Sequence, residues 1–288
     1  MGKGKKDKRE LRRLTDRLRL PPGPVDLAAV DTRATPGFDG GKQDGKAALA
    51  DLKAPLSDLQ ERLFAHGRSG GQRRLLLVVQ GMDTSGKGGT VRHAVGLMDP
   101  QGVSITSFKA PTAEERRRGF LWRIRQALPE PGMVGVFDRS HYEDVLIARV
   151  RGLARPSTIE RRYEAINEFE AKLVADDCII IKAKLHLSHE EQRDRLVARL
   201  DDHTKHWKYN PGDVEERKHW PAYQEAYEIA LERCNTEAAP WYVIPADRKW
   251  YRNWAVTRLL IEHLEAMSIE WPAADYDIRA ERERVLAT

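Results

Sequence analysis

The sequence predicts an α/β protein: a mostly parallel sheet covered by helices on both faces. Two observations carry the prediction. Five short β-rich runs alternate with helix-length segments, and the first run, "LLLVVQ", passes directly into the glycine-rich stretch "GMDTSGKGGT". Strands separated by helices return through crossovers and pair in parallel, and ligands in such folds sit at the carboxyl ends of the strands. A chain of 288 residues can hold one large domain of this kind, with or without an appendage.

In chain order, Met1 to about Arg19 is a charge run, expected to be a flexible or solvated helical arm. The Pro- and Gly-rich stretch from Leu20 to Gly45 must be extended and is expected to wrap over the main domain. From Lys46 to Ala65, Leu49, Leu52, Leu56, Leu59 and Leu63 recur at helical spacing, interrupted by Pro55, and "HGRSGG" supplies a stop. Residues 1–70 are therefore expected to form a basic arm, an extended segment and a packing helix, and residues 71–288 the main domain. The chain carries 49 basic against 44 acidic residues, a net +5, which suits an anionic partner on a mixed surface rather than nucleic acid. Cys178 and Cys234 lie in no metal or redox spacing and read as buried thiols. No apolar run approaches the roughly 20 residues of a spanning helix, and "MGKGKK" has Lys6 where a myristoylation signal needs Ser or Thr. A cytoplasmic protein with no membrane partner is expected.

Strands are expected at Leu75–Gln80, Val103–Lys109, Met133–Asp138, Cys178–Leu187 and Trp241–Pro245. Behind the first, "GMDTSGK" meets the G-x-x-x-x-G-K part of the phosphate-loop pattern. Gly81, Gly86, Gly88 and Gly89, with Thr90 in the following turn, would let backbone amides approach phosphate oxygens, and Lys87 supplies positive charge. Gly88 stands where a magnesium-binding Ser or Thr is usual. Asp83 inside the loop and Asp138 at the end of the third strand are the candidate carboxylates that would hold Mg2+, with Mn2+ as a substitute, since magnesium takes one or two carboxylates plus phosphates and waters. The plainer alternatives are an N-cap for Asp138 and a loop cap for Asp83. Thr112 and Glu115 form a capping box for a helix to Leu128, whose buried stripe would be Phe120, Leu121, Ile124 and Leu128. From Ser188 to Leu231 the pattern reads helix, polar connector, helix. His203, His206 and His219 fit no zinc spacing, and Trp207, Tyr209 and Trp220 read as packing.

Together "GMDTSGKGGT", "SFKAPT", "FLWRI", "FDRSHYEDVLIARV" and "APWYVIPADRKWYRNWAV" resemble the polyphosphate kinase 2 family, over about Leu20 to Met267. The resemblance implies a P-loop kinase of three α/β/α layers with a helical lid at about 188–231. It implies transfer of the terminal phosphate of inorganic polyphosphate to adenine, and as a second choice guanine, nucleotides, by a dimer or tetramer. It assigns Asp83 and Asp138 to the metal, Lys87 to the transferring phosphoryl group and Arg139, Lys109 and Arg123 to phosphate. Arg195 and Arg199 on the lid would either reach phosphates on closure or pair with Asp201, Asp202 or Glu191. Glu143 in "SHYED" resembles the members that accept AMP as well as ADP; its plain alternative is a carboxylate at a helix N-terminus. A kinase using a nucleoside triphosphate as donor, or one restricted to diphosphate acceptors, remains as an alternative.

Overall fold

The computed structural model describes residues 13–288. Five strands form one sheet, β1 (Arg74–Gln80), β2 (Val103–Ser107), β3 (Val134–Asp138), β4 (Cys178–His186) and β5 (Trp241–Pro245). The spatial order is β2-β3-β1-β4-β5 and every pair is parallel. The central strand is buried along Leu75–Gln80, as a parallel strand covered on both faces must be, which explains its unbroken apolar run. One face carries the helix Lys249–Ala266, packed against Lys42–Asp51, Lys53–Arg68 and Lys87–His93; the other carries Pro156–Ala175 and Trp220–Arg233. This is the three-layer α/β/α arrangement expected. The chain leaves β1 toward β2 but leaves β4 toward β5, so connections diverge beside β1 and open a crevice at its carboxyl end.

Several boundaries differ from expectation for local reasons. The leucine-rich segment is two helices, Lys42–Asp51 and Lys53–Arg68, and the break falls at Leu52. Pro55 is no interruption, because it sits in the first turn of the second helix, where its missing N–H is not needed. The helix expected from 112 to 128 is two short pieces, Ala113–Arg117 and Trp122–Gln126, separated at Gly119, although the Thr112–Glu115 capping box forms. Strand β2 stops at Ser107, two residues early.

Of the charged arm, residues 1–12 lie outside the described residues. Its end is a short helix, Leu14–Leu18, with both leucines buried and the Leu14 and Thr15 amides donating to the Glu262 carboxylate at 3.0 and 2.9 Å. That end is therefore anchored rather than solvated. The extended stretch beyond it is pinned by backbone bonds: Leu20 N–H to Trp241 O at 2.8 Å, and Leu27 O to the His186 ring at 3.0 Å. Leu14, Leu18, Leu27, Leu56 and Leu63 join the same apolar core as the strands.

Candidate active site

The glycine loop lies at the carboxyl end of β1. Lys87, largely buried, folds its ammonium back onto the loop, donating to Gly81 O at 2.8 Å and Met82 O at 3.3 Å. Gly86 has φ +104, and a Cβ there would lie 1.6 Å from the Arg252 guanidinium, so both backbone conformation and close packing require glycine. Gly88 is different: it is exposed, and a Cβ would meet nothing within 4 Å. The missing hydroxyl is thus not a steric necessity. Gly89 faces Arg252, and Gly81 is buried against Leu185 O. The Thr90 hydroxyl is buried and makes no hydrogen bond among the described residues.

Two buried arginines grip the loop from behind. Arg195 pairs with Glu191 at 2.8 Å and donates to four carbonyls, those of Thr84, Ser85, Ala246 and Asp247, at 2.6–3.1 Å. Of its two expected roles the ion pair is the one seen; its guanidinium is committed to the loop backbone, not held out toward phosphate. Arg252 donates to Ser85 O at 3.2 Å and to Asn253, and burial, with the nearby charge of Arg195, pushes it down to about 9. Sequence reasoning missed Arg252, although the glycine at 86 is its counterpart.

The carboxylates converge on the same end. Asp83 pairs with Arg139 at 3.0 Å, and although burial alone would raise its carboxyl, the Lys87 and Arg139 cations outweigh that and hold it below its ordinary value. It accepts from a side chain rather than capping the loop. Asp138 aligns with Val79 across the β1–β3 pair, and its carboxylate accepts no hydrogen bond among the described residues. The N-cap of the following turn is Ser140, which accepts from Tyr142 N–H, so the capping reading of Asp138 fails. Arg139 has φ +64 and Thr84 φ +63, two side-chain-bearing residues in the left-handed region within one site. Such strain persists only where the surroundings hold it. With the Gln80 amide turned so that its oxygen accepts from Ser140, its nitrogen donates to Glu143 at 3.1 Å, and burial pushes the Glu143 carboxyl up against the opposing pull of Arg139 and Lys87.

Lys109 is exposed at the mouth. Arg123 donates to Lys109 O at 2.7 Å, approaches Asp144 at 3.7 Å and covers the Phe108 ring, so it braces the loop that carries Lys109. On the lid, Arg199 approaches Asp213 at 3.5 Å rather than Asp201 or Asp202, and its charge is felt at Asp83. The lid consists of the helix His189–Leu200, turns at His203–Lys208 and Gly212–Arg217, and the helix Trp220–Arg233. Gln192 donates to Asp83 O at 3.0 Å. Arg151, exposed just after the short helix Ile147–Val150, takes Glu216 at 2.6 Å and so ties the lid to the body, while Tyr223 of the lid donates to the same carboxylate at 2.7 Å.

A phosphate loop, a strand-end aspartate and a helical lid over both are the parts of a phosphoryl-transfer site. The profile of the family described as Polyphosphate kinase 2 matches residues 40–272. The chain belongs to the polyphosphate kinase 2 family. A crystal structure of polyphosphate kinase 2 from Arthrobacter aurescens TC1 superposes with a TM-score of 0.94 at 52% identity, over 96% of this chain and 98% of that one. The chain is 46% identical to an AMP/ADP-polyphosphate phosphotransferase of Meiothermus ruber over 88% of its own length and 93% of the relative's. It is 39% identical to an ADP-polyphosphate phosphotransferase of Rhodopseudomonas palustris, over 86% and 88%. As a polyphosphate kinase 2 it is a phosphotransferase. Among the described residues no helix is long and apolar enough to cross a membrane.

This polyphosphate kinase 2 also has a buried polar network behind the "SHYED" turn. Glu170 accepts from Tyr142 Oη at 2.8 Å and from Lys182 Nζ at 2.6 Å, and Lys182 also donates to Cys234 O at 2.6 Å at the end of the second lid helix. The signal in the sequence was two lysines, Lys182 and Lys184, inside the apolar run "CIIIKAKLHL". Buried polar groups need partners, so a lysine in a central strand announces an internal network.

Proposed function

We propose that the protein moves the terminal phosphoryl group of inorganic polyphosphate onto AMP and ADP, reversibly and with magnesium. The observation that carries this reading is the convergence of Lys87, the Asp83–Arg139 pair and the unbonded carboxylate of Asp138 at one sheet end beneath a lid. An oxygen of the acceptor's terminal phosphate attacks the last phosphorus of the chain. The new P–O bond forms as the bridging P–O bond breaks, and polyphosphate one unit shorter leaves with the electron pair. An acceptor oxygen that is already anionic needs no dedicated base, so the protein's work is positioning and charge neutralisation.

Lys87 would swing from its carbonyls to the transferring group, and Arg139 would hold the neighbouring oxygens. Lys109 and, on lid closure, Arg199 would contact the chain. Arg195 and Arg123 act through the loops they brace. The lid excludes water, which would otherwise take the phosphoryl group. The donor set fits magnesium. Asp83 and Asp138 at one sheet end match the one or two carboxylates that magnesium takes from a protein, with phosphate and water completing its shell. Asp83 and Asp138 would hold it, and bound Mg2+, or Mn2+ in its place, would neutralise charge on the phosphate oxygens. Adenine acceptors come first and guanine second in this reading, with Glu143 biasing the site toward the monophosphate. The Meiothermus relative, named for both AMP and ADP, supports that choice, whereas the Rhodopseudomonas relative, named for ADP, favours a diphosphate-only second reading. A 1–70 packing segment on a 71–288 kinase domain, a cytoplasmic location and assembly into a dimer or tetramer belong to the same proposal.

The test incubates the protein with magnesium and long-chain polyphosphate beside AMP, ADP or GDP and resolves the nucleotides over time. ATP formed from both AMP and ADP, lost on chelation and cut by about 10²–10³-fold in Lys87→Met, is expected. ATP from ADP alone would establish the second reading. Transfer that needs ATP as donor and ignores polyphosphate would overturn both.

A further inference from the structure

Lys184 is the most deeply buried of three cations near the site that have no carboxylate partner among the described residues; Lys87 donates to two loop carbonyls and Arg252 to Ser85 O and Asn253, whereas Lys184 is hardly bonded at all. It is 1% exposed, at the end of β4 opposite Gln80, the last residue before the phosphate loop. Lys182, two residues earlier, is matched by Glu170, and Arg195 by Glu191. Lys184 makes no ion pair with a carboxylate among the described residues. Its ammonium has three protons to donate and a single long hydrogen bond, 3.4 Å to Leu185 O. Above it lies the face of Tyr227 on the second lid helix, with the ring centre 4.0 Å from Nζ. A cation over an aromatic face is attracted to it, but the ring carries no net charge to cancel the ammonium's.

Burying a cation without an anion is costly, and a fold that retains one either has a neutral amine there or supplies the anion later. Burial, reinforced by the like charge of Lys87, pushes Lys184 down to about 7, so a neighbouring anion would be needed to hold its charge. Polyphosphate and nucleotide phosphates are dense in negative charge and bind, in the reading proposed above, at the loop beside Lys87. We propose that Lys184 is a positioning residue of the phosphoryl transfer, an uncompensated cation behind the phosphate loop whose counter-charge is the bound phosphate itself. This inference rests on the proposed function for where the phosphate lies. Through Tyr227 the same cation holds the base of the lid helix, so loop occupancy and lid position are linked at one side chain.

Lys184→Met keeps the length of the side chain and removes the charge, and Lys184→Gln is a second, polar replacement. The melting temperature is read with and without inorganic tripolyphosphate, and kcat/KM is read for polyphosphate and nucleotide. In either variant the anion-free melting temperature is expected to stay level or rise, because an unpaired buried charge has gone. The stabilisation by tripolyphosphate is expected to shrink and kcat/KM to fall by about tenfold. Wild-type kcat/KM and a full tripolyphosphate shift in both variants would overturn the inference. So would activity and anion-free melting temperature falling together while the tripolyphosphate shift is retained, which is the pattern of a merely structural residue. A wild-type protein that is stabilised by tripolyphosphate but transfers no phosphate to AMP or ADP would overturn the proposed function, and a tripolyphosphate shift that still shrinks in both variants would then keep Lys184 only as the cation that bound phosphate compensates.

Discussion

At the scale of single residues, Gly88 and Glu143 give opposite lessons. Gly88 departs from the usual loop pattern, yet nothing within 4 Å would oppose a side chain there. Gly88→Ser should therefore leave stability within about 0.5 kcal/mol of wild type, measured by thermal melting. If the metal depends on Asp83 instead, Gly88→Ser combined with Asp83→Asn should be as inactive as Asp83→Asn alone. Rescue of that double variant would assign the metal to the residue at 88. Glu143 carries a carboxyl raised by burial above its ordinary value of 4.5. A carboxyl raised in the folded state binds its proton more tightly there than in the unfolded chain. Stability is thus complete below the ordinary value and is lost as pH rises through the folded-state value. Glu143→Gln should then raise the melting temperature near about pH 7, with the gain vanishing below about pH 4. A gain independent of pH would refute the account. The motif residues were legible because phosphate chemistry demands particular residue types at fixed spacing. Arg252 was not, since nothing local marks an arginine on a distant helix as the neighbour of a glycine.

At the scale of elements, the lid helix His189–Leu200 is joined to the loop by Arg195 rather than merely covering it. Arg195→Met strands Glu191 and leaves four carbonyls short of a donor. A loss of about 3 kcal/mol is expected from chemical denaturation, with a weaker KM for phosphate donor because the loop loses its brace. Loss of transfer with stability untouched would instead return Arg195 to direct phosphate binding. The helix and strand types read from periodicity stand for every strand and for both lid helices. The failures lie where tertiary contacts overrode local pattern. The helix from 112 breaks at Gly119 so that Arg123 can reach back to Lys109 O, and the leucine-rich segment breaks at Leu52, with its first helix threading Gly45 beneath the Trp250 ring.

At the scale of the whole molecule, the N-terminal segment is part of the core. Leu14, Leu18 and Leu27 are each at most 5% exposed, and Thr32 donates to Asp247, which also receives Ser188 at the start of the lid. A chain beginning at Asp31 should lose about 4 kcal/mol, reckoned from three buried leucines and discounted for a compact unfolded chain, seen as a lower denaturation midpoint with helix content largely kept. An unchanged midpoint would make the segment dispensable. The amino-acid sequence by itself determined the layered α/β class, the phosphate loop and the strand-end aspartate. Each follows from short-range rules: side-chain periodicity, glycine at a tight turn, and a lysine and carboxylates suited to phosphate and magnesium. Only the tertiary structure decided which arginines brace the loop and which pair with carboxylates beside it, why glycine is obligatory at 86 and not at 88, and that Lys184 is buried without a carboxylate partner. Those are questions of distance between residues remote in sequence, and they are settled by packing, where the full cost of burying a charge first comes due.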